Sequence, residues 1–110
     1  LSDYDEAISY LNKFDSDDIM VNTMATGAIG DAYAELGEFD KAISYYEKAA
    51  NSNVNDFTTP IFLNKAAQLL EDQGKYNKAI TLYEKLKNDY SKSQEGRSAE
   101  KQIARAKSKI

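Results

Sequence analysis

The side chains with the strongest claim to chemistry are carboxylates, and they fall into three groups: Glu35 with Glu38, Glu71 with Asp72, and the run Asp15, Ser16, Asp17 and Asp18. Two acids perform general acid-base work only when one sits in an apolar pocket that keeps it protonated while the other stays ionised. Both pairs fall near expected helix ends, where solvation is expected for all four residues. The acidic run would need further spaced oxygens and a central glycine to wrap calcium, and it has neither. It reads as a solvated connection in which one Asp caps the helix that follows. The 110 residues contain no Cys and no His, which removes thiol nucleophiles, disulfides, imidazole bases and the usual zinc ligand sets. The serines and lysines form no recognisable nucleophile arrangement, and the glycines make no phosphate loop. The chain is therefore expected to be no enzyme, with no catalytic, cofactor-binding or metal-binding residues.

The chain is instead organised by repetition. Residues 4–14 read YDEAISYLNKF, residues 39–49 read FDKAISYYEKA, and residues 76–86 read YNKAITLYEKL, starting 35 and then 37 residues apart. A recurrence of this period signals stacked supersecondary units. Within each copy the apolar positions fall at i, i+4 and i+7, one stripe of a helix: Ala7, Leu11 and Phe14, then Ala42, Tyr46 and Ala49, then Ala79, Tyr83 and Leu86. Ile29, Gly30, Tyr33 and Leu36 make a stripe upstream of the second copy. Leu63, Ala66, Ala67 and Leu70 do so upstream of the third. Gly37 and Gly74 stand where each first helix must turn back, as glycine does just past a helix end. Each unit is thus a helical hairpin. Gly30 and Ala67 facing Ala42 and Ala79 would let the paired backbones approach, with Tyr33, Tyr46 and Tyr83 filling the flanks.

Gly30, Tyr33, Gly37, Phe39, Ala42, Tyr46 and Ala49, then Ala67, Leu70, Gly74, Tyr76, Ala79, Tyr83 and Leu86, resemble the tetratricopeptide repeat family over residues 1–93. Thr26 departs where the family has a large aromatic or Leu, and Val54 and Ser91 depart where Pro often closes a repeat. The resemblance implies an all-α solenoid, a right-handed superhelix in a single domain spanning 1–110. It would comprise a leading half repeat (1–14), complete repeats at 19–56 and 57–93, and a capping helix at 94–110. It also implies a concave groove lined by the first helices, with Met24, Gly27, Asp31, Glu35, Ile61, Asn64, Gln68 and Glu71 facing a peptide or protein segment. A clamp for a C-terminal carboxylate would use Lys, Arg and Asn there. Only Asn64 and Lys65 suit it, so a groove for a basic or apolar partner is expected.

Local signals fill in the order. Asp3 to Glu6 has the spacing of a capping box at the first helix. Thr59 and Pro60 are expected to cap and open the helix of the third unit. In the last helix Ala99, Ile103, Ala106 and Ile110 form the apolar stripe, and Arg97, Lys101, Arg105, Lys107 and Lys109 cover the remaining surface. The net charge of −4 hides a gradient: residues 1–56 carry twelve acids and three bases, residues 57–110 six acids and eleven bases. In a solenoid this makes one end acidic and the other basic. Homodimerisation, through these charged ends or through the open apolar side of the unpaired helix at 1–14, is the alternative function, a structural self-association module. The acidic pI of about 4.8 argues against nucleic acid, and no apolar stretch suits direct membrane contact.

A narrower resemblance, carried by residues 26–50, 59–80 and 98–110, is to the C-terminal part of membrane-anchored bacterial tetratricopeptide proteins of the Bacteroidetes lineage, related in architecture to the accessory subunit of the Sec translocon. It implies a fragment of a longer chain on the periplasmic face of an inner membrane, assisting protein translocation or envelope assembly. Without that resemblance the expected compartment is the cytoplasm.

Overall fold

Short polar turns divide the chain into six helices, which a computed structural model describes over residues 2–110. They are α1 (Asp3–Asn12), α2 (Ile19–Glu35), α3 (Phe39–Ser52), α4 (Thr58–Asp72), α5 (Tyr76–Asp89) and α6 (Gln94–Lys107). Gly37 and Gly74 both adopt φ of 77°, a left-handed conformation that costs an L-residue roughly 1 to 2 kcal/mol and glycine nothing. They close the α2–α3 and α4–α5 hairpins.

The helix starts show which polar signals prevailed. In α1 the capping box lies one residue earlier than expected. Ser2 Oγ accepts from the Asp5 amide at 3.1 Å, and the Asp5 carboxylate accepts from the Ser2 amide and hydroxyl at 3.3 and 2.7 Å. These bonds hold the Asp5 carboxyl below its ordinary range. Asp18 caps α2 as expected, its Oδ1 accepting from the amides of Met20 and Val21. At α4 the cap falls to Asn55 rather than Thr59: Asn55 Oδ1 accepts from the amides of Phe57 and Thr58 at 2.8 and 2.7 Å. Thr59 is buried and uses its hydroxyl to tie the turn to α3, donating to the Ala50 carbonyl and accepting from the Asn55 amide. Pro60 lies in the first turn, where a missing amide hydrogen costs little.

The core is built from the repeated positions. Ala42, Ala49, Ala66, Ala67, Ala79, Tyr83, Leu86, Ala99 and Ala106 have no exposed surface. A methyl on Gly30 would stand 2.7 Å from the Tyr46 ring and 3.3 Å from the Ala42 carbonyl oxygen, so α2 and α3 meet at the small residues. The first copy differs. Its stripe is rotated so that Ile8 is the buried residue, packed with Ile29 and Ala32, while Phe14 lies past the end of α1 and is exposed. The same correction applies to Ile110, which follows α6 and is 71% exposed. Each is held only by an i→i−3 turn bond, Phe14 to the Leu11 carbonyl and Ile110 to the Lys107 carbonyl, so the tighter winding past the helix end carries it off the α-helical stripe.

Each helix packs on the next, and in addition α2 touches α4 and α4 touches α6. Among the described residues, the backbones of α1 and α3, and those of α3 and α5, do not approach one another in this way. The even helices therefore converge on the inner side of the stack and the odd helices spread on the outer side. The all-α hairpin solenoid is thus what the repeats build. Among the described residues, no helix is long and apolar enough to cross a membrane.

Candidate protein-binding face

The convergence of α2, α4 and α6 places one stripe of each helix on a common surface. Six of the eight residues expected there have surface on it to offer. Met24, Asp31, Glu35 and Gln68 are exposed, and Ile61 and Asn64 are half-buried. The other two correct the expectation. Gly27 is buried, because without a side chain it admits the Phe62 ring of α4 against the α2 backbone, in the space a Cβ would take. Glu71 is 7% exposed. It is not the solvated helix-end acid that its position suggested, because α6 covers it.

Two networks cross the face, each joining an acid of one inner helix, a tyrosine of the outer helix behind it, and a cation of the next inner helix. Asp31 accepts from the Tyr46 hydroxyl at 2.6 Å and from Lys65 Nζ at 2.9 Å. Lys65 Nζ also lies 5.7 Å from the centre of the Tyr46 ring and 6.0 Å from that of Phe62, within range of a cation–π contact. Glu71 accepts from the Tyr83 hydroxyl at 2.8 Å and from Arg105 Nε and Nη2, both at 2.7 Å. In both networks the cation follows the acid by 34 residues. Yet Asp31 follows Gly30 directly, whereas Glu71 lies four residues after the equivalent Ala67, so nearly the same device is built one turn apart. That offset, and the reliance on residues from three helices, hid it from a reading of single stripes. The signal that finds it is an acid, a tyrosine and a cation at these separations.

The electrostatics follow from burial. The bidentate Arg105 hydrogen bonds hold the Glu71 carboxyl below the usual range against the opposing effect of burial, and the Tyr83 hydroxyl adds to them. Burial pushes both the Tyr83 and Tyr46 hydroxyls up, reinforced by the hydrogen bonds to Glu71 and Asp31. Glu71 in turn pushes the Arg105 guanidinium up. An ionised acid fully engaged by a guanidinium and a phenol has no proton to transfer, so this is a strut between α4 and α6 rather than an acid-base pair. The Asp31–Lys65 pair is half exposed and contributes little stability, but it fixes two side chains of the face.

The face is graded in chemistry. Met24 and Ile61, with Met20 and Val21 exposed above them, form an apolar end; Asn64, Gln68 and the largely buried Gln102 supply carboxamides in the middle, beside the Asp31–Lys65 pair; Glu35, Asp72 and Arg105 carry charge at the far end. Such a surface has apolar, hydrogen-bonding and charged contacts to offer a macromolecule.

The family model for the soluble NSF attachment protein, SNAP, matches residues 2–103. The chain belongs to the SNAP family. The match runs from the α1 cap to Ile103 of α6, and it assigns the repeats to a helical-repeat family of protein-interaction adaptors. It says nothing of the membrane-anchored bacterial group. No curated protein and no solved structure matches the chain. In this SNAP-family chain the two acid–tyrosine–cation networks bridge successive inner helices, α2 to α4 and α4 to α6, across the surface they present.

Proposed function

We propose that the inner face of α2, α4 and α6 binds a peptide or protein segment, with Met24, Asp31, Glu35, Ile61, Asn64 and Gln68 as its contact residues and residues 1–110 acting as one binding domain. The observation that carries this reading is the convergence of the inner helices on a surface graded from apolar to charged. The family is named for attachment to NSF, which supports a macromolecular partner. A photo-crosslinking amino acid placed at Met24 or Gln68 in cells is expected to capture a protein. The same probe at Glu47 or Lys78, on the outer groove between α3 and α5, is expected to capture nothing comparable. Capture from the outer positions alone would sink the proposal. Assistance to translocation or envelope assembly at a periplasmic membrane face is the narrower form of the reading, supported by the resemblance of residues 26–50, 59–80 and 98–110.

A second reading, self-association, is favoured by the opposite charge of the two halves and by Ile19, Met20 and Val21, all exposed at the start of α2. It predicts a dimer by light scattering that dissociates at high salt, as screening weakens attraction between exposed charges. A monomer mass at both low and high salt would end it.

A further inference from the structure

Between α4 and α6 lies a polar cleft of about 240 Å³, lined by Asn64, Gln68, Gln94, Glu95, Ser98 and Gln102. Five of these six side chains are neutral and able to hydrogen-bond. The residue that distinguishes the cleft from a wet surface notch is Gln102. This residue is 8% exposed, its Nε2 donates to Asn64 Oδ1 across a long 3.4 Å, and its Oε1 has no partner among the described residues. A buried acceptor left unpaired forfeits its hydrogen bond to water with nothing in return, and native proteins leave few such atoms without a reason. The hydroxyl of Ser98 and the carboxamides of Gln68 and Gln94 line the same cleft, and none of them is hydrogen-bonded to Gln102.

A carboxamide offers one acceptor and two donors on adjacent atoms. This matches the N–H and C=O that a peptide main chain presents, and it carries no charge for which a salt-bridging ligand would be selected. We propose that this cleft holds the main chain of an extended peptide segment, with Gln102 turning from its weak bond to Asn64 so that its oxygen accepts a backbone N–H. Asn64, Gln68 and Ser98 complete the hydrogen bonding of the bound strand. The proposal rests on the inner face being the binding surface, and it adds the mode: readout of backbone amides in the middle of the face, with side-chain selection left to its apolar and charged ends.

The test begins with short random peptides displayed against the full chain, followed by affinity measurements on the synthetic peptides selected. Gln102→Met, which keeps length and burial but accepts no comparable hydrogen bond, is expected to weaken binding about fivefold, the value of one neutral hydrogen bond. Methylating one backbone nitrogen of the peptide should cost the wild type the same factor and Gln102→Met nothing further. Ser98→Trp, on the exposed rim of the cleft, should block binding without touching the core, so a folding defect in Gln102→Met leaves the question decidable. Selected peptides that bind both variants like wild type would overturn the proposal. So would a failure to select any peptide while Met24 and Gln68 still crosslink a protein, an outcome that leaves the adaptor reading standing.

Discussion

Gly96→Ala is expected to lower the stability of the chain by on the order of 3 kcal/mol, read as a fall in the urea midpoint at unchanged slope. In an ordinary helix the exchange would stabilise by about 1 kcal/mol, because alanine is the better helix former. Here the sign reverses because of what lies beside the glycine. A Cβ on Gly96 falls on the Tyr90 carbonyl group, its carbon 2.6 Å away and its oxygen in hard contact, with the Leu86 carbonyl oxygen at 2.8 Å. Both are backbone atoms at the end of α5 and cannot rotate aside. The Tyr90 carbonyl is also held in place, accepting from the Ser93 amide at 3.0 Å and the Ser93 hydroxyl at 2.7 Å, while Ser93 Oγ caps α6 through the Gly96 amide at 2.9 Å. A methyl group must therefore lift α6 from α5 or break the cap. By contrast, a methyl at Gly30 meets the Tyr46 ring, which can tilt, so Gly30→Ala should cost less. A Gly96→Ala chain as stable as wild type would show that α6 does not pack closely on α5 in solution, and would remove Gln102 and Arg105 from the inner face with it.

Gly96 also marks where the sequence stops being legible. The hairpin repeats, their turns at Gly37 and Gly74, and the buried alanines were readable because each depends on spacing within one unit, and spacing is what a sequence records directly. The order of helices follows from the same repetition. A lone glycine inside α6 reads only as an entropic cost until the end of α5 is seen lying across it. Glu71 escapes a sequence reading for a related reason. Its position near the end of α4 suggests solvent, and only the docking of α6, which brings Arg105 over it, makes it buried. The helical angle of Gly27 points to the inner face, but the ring that covers it, Phe62, comes from the next repeat. Asn55 and Ser2 displaced the expected caps because several Ser, Thr, Asn and Asp residues compete at each helix start and pattern alone does not rank them. The face was thus legible as a stripe on each helix, and the contacts between stripes were not.

The Glu71–Arg105 pair makes the most direct case that those contacts hold the face together. Arg105→Ala is expected to cost about 2 to 3 kcal/mol at neutral pH. Removing one partner of a buried pair typically costs 3 to 5 kcal/mol, and the figure is reduced here because the Arg105 side chain is 48% exposed while that of Glu71 is 6% exposed. Glu71→Gln should cost less, since it keeps a partner for the Tyr83 hydroxyl and strands only an arginine that water can reach. The pH dependence separates this account from a simple loss of packing. In the wild type the folded Glu71 titrates below its ordinary value of 4.5. Its contribution is therefore complete above that pH and is lost as pH falls through the lower folded value. In Arg105→Ala the main cause of the lowering is gone while burial still opposes the charge, which moves the folded carboxyl up from where it stands in the wild type and makes it easier to protonate. That variant should gain stability relative to wild type as the medium is acidified. Urea titrations of both chains from neutral pH to pH about 3 should show the gap closing on the acid side as Glu71 becomes neutral in each. A gap that stays constant over that range would mean that the arginine acts through its aliphatic stem, and that the strut between α4 and α6 is held by packing rather than charge.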